Sequence, residues 1–161
     1  MTAREEESNK ATLTRFWEEV WNRGDLGVVD EIFHAGFVDH GLAPGLTQQG
    51  PEGAKEAVLQ FRNAFPDLHL DVSHLVAERD KVFTYWIATG THEGPLHTPT
   101  GDIPATGNVG IVHGMTINRV ADGRIIEAWD NFDTFGMLQQ LGVIPSAPPG
   151  GGPPREKPAE E

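Results

Sequence analysis

Hydrophobic positions in the first third of the chain recur at helical spacing. Leu13, Phe16, Trp17, Val20 and Trp21 fall at i, i+3, i+4, i+7 and i+8, one apolar stripe of a helix. Asn22-Arg23-Gly24 stops it, and Asp25 is placed to cap a second short helix through Leu26, Val29, Ile32 and Phe33. Pro51 suits the first turn of a third helix, with Ala54, Ala57, Val58, Phe61 and Phe65 as its buried stripe and Pro66 as its stop. From about His69 the period falls to two. Leu70, Val72 and Leu75 alternate with polar residues. Val82 to Thr91 is β-branched and aromatic on both faces, which predicts a central strand covered on both sides. A Gly/Pro/Thr-rich loop, Gly94 to Gly107, precedes two more strands, roughly Gly110–Val120 and Arg124–Asp133. These strands are joined at Asp122-Gly123, a strong two-residue hairpin signal. A short helix from Thr134 to Leu141 ends at Gly142. Helices first and strands afterwards predict an α+β fold, a curved antiparallel sheet wrapped around the N-terminal helices with a cavity between them.

The 161 residues suffice for one domain, and 38% hydrophobic with 22% charged residues describes a soluble globular chain. Residues 1–8 are expected to fray and residues 9–144 to fold. Residues 145–161, with six prolines and three glycines, are expected to form a flexible acidic tail. Twelve Lys and Arg against 24 Asp and Glu give a net charge of −12, which disfavours nucleic acid and anionic membranes as partners. No apolar run approaches the roughly 20 residues of a membrane span, and the polar N-terminus lacks the apolar stretch of a secretory signal. Absence of cysteine excludes disulfides and thiol chemistry. The expectation is a cytoplasmic protein acting on a small molecule.

The hairpin organises the chemistry. With Asp122 and Gly123 as its loop, Ala121 pairs with Arg124, Met115 faces Asp130 and His113 faces Phe132. Asp130 then shares a face with Ile111, His113, Met115, Ile117, Ile126, Ala128 and Phe132. His113 becomes its diagonal neighbour at roughly 7–8 Å between Cα atoms. A carboxylate among hydrocarbon is costly unless paired or protonated, and desolvation moves its titration toward neutral pH, where general acid–base catalysis works best. The structural alternative is a buried Asp–His pair that only orients the sheet.

Several short patterns occur together and in order: Phe16-Trp17 with Trp21-Asn22-Arg23-Gly24-Asp25, Phe37-Val38-Asp39-His40, Phe65-Pro66-Asp67, the run from Asp122 to Asp130, and Gln140-Leu141-Gly142. In these the chain resembles the SnoaL-like polyketide cyclases of the nuclear transport factor 2-like superfamily, over nearly all of residues 9–144. The resemblance implies a cone or half-barrel with a deep apolar pocket, commonly a homodimer, and no metal or organic cofactor. It matches the family's general acid/base to Asp130, which would take a proton from an activated methylene of a polyketide ester so that the carbanion closes a ring by intramolecular aldol attack. The family's partner histidine aligns with Thr116, whereas the face argument selects His113. The same superfamily also hosts hydrolases, dehydratases, isomerases and non-catalytic binders.

Other residues fill in the expected site. His40, at the pocket mouth by the resemblance, is a second catalytic helper that could polarise a carbonyl, or else it holds the following loop. Trp17, Phe37, Phe61, Phe65, Trp86, Met115 and Phe132 are the expected apolar lining for a planar or polyketide-derived substrate, although aromatic stripes usually just pack. Arg62 either pairs with Asp67 or reaches a substrate oxygen. The spacings of His34, Asp39 and His40 and of His92 and His97 match no recognised ligand motif, so no metal is expected. The Thr98-Pro99-Thr100-Gly101 loop is a lid or a connector.

Overall fold

The computed structural model describes residues 2–41 and 49–146. Helix α1 (Ala3–Arg15) continues into a π-helical turn (Phe16–Asn22). Then follow α2 (Gly27–Ile32), β1 (Phe33–Asp39), α3 (Gly50–Ala64), β2 (His69–Glu78), β3 (Lys81–Thr91), β4 (Val109–Ala121), β5 (Arg124–Phe132) and α4 (Thr134–Gln140). The five strands form one sheet in the order β1-β5-β4-β3-β2. β1 runs parallel to β5 and every other pair is antiparallel. The α+β class and the curved sheet packed on N-terminal helices are as the sequence predicts.

Local chemistry sets the boundaries. Asp25 Oδ1 accepts from the Gly27 amide at 3.1 Å at the start of α2. A proline in the first turn opens α3, and Phe65, held extended by the following Pro66, closes it. Asp133 caps α4 by accepting from the Gly136 amide at 2.8 Å, and Gly142 takes the left-handed conformation (φ 76°) just beyond it. Asp122 and Gly123 both have positive φ, 50° and 74°, as a two-residue hairpin turn that follows the strand twist requires.

The structure departs from the sequence pattern in three places. The segment expected to fray is helical from Ala3, with Thr2 and Glu5 forming a reciprocal capping box. Glu6 and Asn9 then hold the β2–β3 turn at Arg79, through a 2.8 Å bond from the Arg79 amide and a 3.2 Å bond to its carbonyl. Secondly, β1 is not anticipated, since His34-Ala35-Gly36 interrupts any alternation around Phe33 and Phe37. Thirdly, β3 is not the central strand, which is β4, and it is covered only on the helix side. Phe83, Tyr85 and Ile87 lie half-buried on the outer face. The expected tail, apart from Pro145 and Ser146, lies outside the described residues.

The core fills the space between helices and sheet. Leu13, Val20, Val29, Val82, Ile125 and Leu141 are wholly buried there. On β4 the even-numbered residues from Gly110 to Val120 point inward and the odd-numbered ones from Val109 to Ile117 are exposed. Gly114 permits the close approach of Trp86, whose indole lies where a Cβ at 114 would be. Gly114→Ala should therefore push Trp86 off the sheet and lower stability by about 1–3 kcal/mol in urea unfolding. An unchanged midpoint would contradict this packing.

Candidate active site

The hairpin begins in the expected register and then leaves it. Ala121 pairs with Arg124 and Val120 with Ile125, but the next pair is Arg119 with Glu127. Ile126 is an extra residue, a β-bulge that shifts β5 by one position against β4. Beyond it Asp130 pairs with Thr116, not Met115, and Phe132 with Gly114, not His113. Asp130 still faces inward with Ala128 and Phe132. What changes is the strand beside it: Val112, Gly114, Thr116 and Asn118 share its face, and Ile111, His113, Met115 and Ile117 lie on the other.

An apolar cavity of about 150 Å³ lies between helices and sheet, open at one end. Trp17, Phe37, Phe61, Phe65, Trp86 and Phe132 all line it, as expected. Trp21, Phe16, Phe33 and Met137 extend the hydrocarbon wall. The polar groups facing this space include Asp39, Asp130, Thr116 and Asn118.

Asp130 is the end of a directed hydrogen-bond chain. Trp86 Nε1 donates to Thr116 Oγ1 at 2.9 Å, and Thr116 Oγ1 donates to Asp130 Oδ1 at 2.5 Å. Indole can only donate, so the threonine hydroxyl hydrogen is free to point at the carboxyl. Asp39, at the end of β1, is a second carboxyl within hydrogen-bonding reach of Asp130. It is set there by pairing with Ala128, by the His40 amide donating to the Ala128 carbonyl at 2.8 Å, and by the Gly41 amide donating to Asp39 Oδ1 at 2.8 Å. Gly41 packs directly against the Asp130 backbone, with no room for a Cβ.

Burial, then the negative field of Asp39, push the Asp130 carboxyl up to about 7, against the opposing pull of the Thr116 hydrogen bond. Burial raises Asp39 too, while the Gly41 amide and the proton held on Asp130 oppose that rise. While Asp130 is protonated it can donate to Asp39, so the two neighbouring carboxyls titrate as one coupled pair. Near pH 7 such a pair can both take up and release a proton.

Several expected site residues lie elsewhere. His113 is on the outer face, its Nδ1 2.8 Å from Tyr85 Oη, and Met115 beside it is 48% exposed. The bulge puts both there. His40 also turns outward: it stacks on Trp129 at 5.1 Å with Nε2 3.5 Å from Glu127 Oε1. Arg62 neither pairs with Asp67 nor enters the cavity. Its Nη1 donates to the Trp21 and Asn22 carbonyls at 2.7 and 3.2 Å, tying α3 to the π-helical turn, while Asp67 accepts from the amide and hydroxyl of Thr91. His92 is buried against Phe65, and His97 pairs with Asp102 at 2.6 Å on the loop. Among the described residues no group of three His, Asp or Glu is placed to hold a metal, and no helix is long and apolar enough to cross a membrane. Asp39 as partner of Asp130 was missed by the hairpin argument, because the contact comes through the unanticipated parallel strand β1. Its only signal in the sequence was the Phe37-Val38-Asp39-His40 pattern.

Comparison with known proteins bears on the family and the fold. The model of the SnoaL-like polyketide cyclase family matches residues 11–141. No curated protein sequence matches the chain. Among solved structures, a SnoaL-like protein from Jannaschia sp. CCS1 superposes with a TM-score of 0.79 at 24% identity, covering 90% of this chain and 99% of its own. TsrD from Streptomyces laurentii gives 0.75 at 28% identity, covering 86% and 97%. IdmH from Streptomyces antibioticus, described as a candidate polyketide cyclase, gives 0.69 at 31% identity, covering 84% and 99%. By the family model that spans most of its length and by its fold, the chain belongs to the SnoaL-like polyketide cyclase family.

Proposed function

We propose that the protein is a cofactor-independent cyclase that closes a ring in a small polyketide or related ester by intramolecular aldol-type addition. The observation that carries this reading is a carboxyl raised to about 7 inside a hydrocarbon cavity that a small molecule can enter. Ionised Asp130 takes a proton from a methylene between two carbonyls, leaving an enolate. The enolate carbon attacks a ketone carbon of the same molecule, one carbon–carbon bond forms, and the resulting alkoxide recovers the proton from Asp130. Nothing is oxidised or reduced. Asp39 holds the working pKa near neutrality, and the aromatic walls exclude water that would quench the enolate. The open cavity above the carboxyl pair favours turnover over a packed, non-catalytic core.

We also propose that a second copy of the chain covers the outer sheet face. Ile111, Met115 and Ile117 of β4 lie exposed there beside half-buried Phe83, Tyr85 and Ile87. His113 and Tyr85 supply polar groups at its centre, and Asp71, across from Ile87 on β2, puts a carboxylate at its rim. Two chains of net charge −12 can meet with less repulsion where β4 presents apolar rather than acidic side chains. Sedimentation equilibrium should give twice the chain mass, and Met115→Glu should shift it toward one. A monomeric wild type at tens of micromolar would reject this interface.

Proton abstraction can be tested before the substrate is known, by NMR of hydrogen–deuterium exchange at the activated methylene of an aromatic 3-oxo ester, above the uncatalysed background. Asp130→Asn should lower the catalysed rate about 10²–10⁴-fold. In the wild type the rate should rise with pH through about 7, as Asp130 ionises. In Asp39→Asn that midpoint should move to lower pH, because the neighbouring negative charge that holds the proton on Asp130 is gone. An Asp130→Asn rate equal to wild type would remove Asp130 from the reaction.

A further inference from the structure

Two polar atoms at the cavity are buried without partners, and the proton chemistry above uses neither. Asn118 is 1% exposed, lines the cavity, and its Oδ1 has no hydrogen-bond partner. It lies on the inward face of β4, paired with Val82 and Ala128, one inward position beyond Thr116 and diagonal to Asp130. Across the cavity, on the helical layer, Trp21 Nε1 is likewise buried and unpartnered. The other two indoles of the lining are satisfied, Trp17 by Thr84 Oγ1 at 3.3 Å and Trp86 by Thr116 Oγ1 at 2.9 Å. Buried polar groups are almost always paired, and a site that leaves them open selects ligands able to complete them.

We propose that Asn118 and Trp21 determine substrate specificity. The Asn118 amide oxygen accepts from a hydroxyl or enol O–H of the bound molecule, and the Trp21 indole N–H donates to an oxygen at its opposite edge. The ligand class is then an oxygenated planar ring system carrying at least one free hydroxyl beside the reacting carbon, rather than a bare hydrocarbon or a fully etherified one. An Asn118 contact beside Asp130 also holds the reacting methylene toward the carboxyl pair. The inference rests on the reading of this cavity as the substrate site and adds the polar pattern that the substrate must present.

Equilibrium binding of 2-naphthol and of naphthalene tests it, since the two differ by one hydroxyl. The wild type should prefer 2-naphthol by tenfold or more. In Asn118→Leu that ratio should collapse toward one with naphthalene affinity kept or improved. A wild type without the preference, or an Asn118→Leu variant that keeps it, overturns the proposal, the latter leaving Asn118 to a bound water. Should Asn118→Leu fail to fold, the ¹⁵N-labelled wild type decides: the side-chain amide of Asn118 and the indole N–H of Trp21 should shift with 2-naphthol and not with naphthalene, and two unmoved resonances overturn it. None of these readouts needs turnover. A naphthol preference lost in Asn118→Leu stands even where Asp130→Asn leaves exchange unaffected, and failure here leaves the cyclase reading to its own experiment.

Discussion

Keeping a carboxyl among hydrocarbon is the constraint from which the rest of this structure follows. An isolated charge there would be prohibitively costly, so the group must hold a proton, be hydrogen-bonded, or both. Asp130 is served in both ways, with Thr116 donating to one oxygen and the neighbouring Asp39 carboxyl favouring its protonated form. Each support needs its own scaffold. Thr116 is oriented by the Trp86 indole, and that indole fits only because residue 114 is glycine. Asp39 is held by a parallel strand and by a tight turn at Gly41, which again has no room for a side chain.

A single extra residue connects these parts. Ile126 bulges from β5 and shifts the pairing by one position, so that Asp130 meets a threonine hydroxyl inside rather than a methionine. The same shift sends the apolar odd-numbered residues of β4 outward, to the face we assign to a second copy. One bulge thus sets both the polarity of the cavity and the character of the exterior. Two polar residues, Thr116 and Asn118, end up buried at 2% and 1% exposure where a core built for stability alone would place hydrocarbon.

Much of this was legible in the sequence. Helical spacing located α2, α3 and the stripe from Leu13 to Trp21, and Asp-Gly located the hairpin, because both signals are local. Counting along β5 puts Asp130 on the face of Ala128 and Phe132, but counting across the hairpin gives it the wrong neighbours on β4. A bulge has no sequence mark here: Arg124-Ile125-Ile126-Glu127-Ala128 continues an apparently regular strand, and counting across an unseen extra residue assigns β4 to the wrong face. His113 and Met115 were misplaced for that reason alone. The apolar content of the odd-numbered positions misled in the same direction, since an apolar exterior reads from sequence as a core. The alignment that matched the family's partner histidine to Thr116 was the sounder guide. Asp39 entered through tertiary pairing between residues some ninety positions apart, which periodicity cannot report.

Titration of the Asp130 side-chain carboxyl followed by ¹³C NMR bears most directly on the account. The carboxyl resonance should move through a midpoint near 7, and the midpoint should fall in Asp39→Asn. A midpoint near 4 in the wild type, that of an ordinary exposed aspartate, would mean that the group is solvated and unpaired, and the coupled pair would be contradicted.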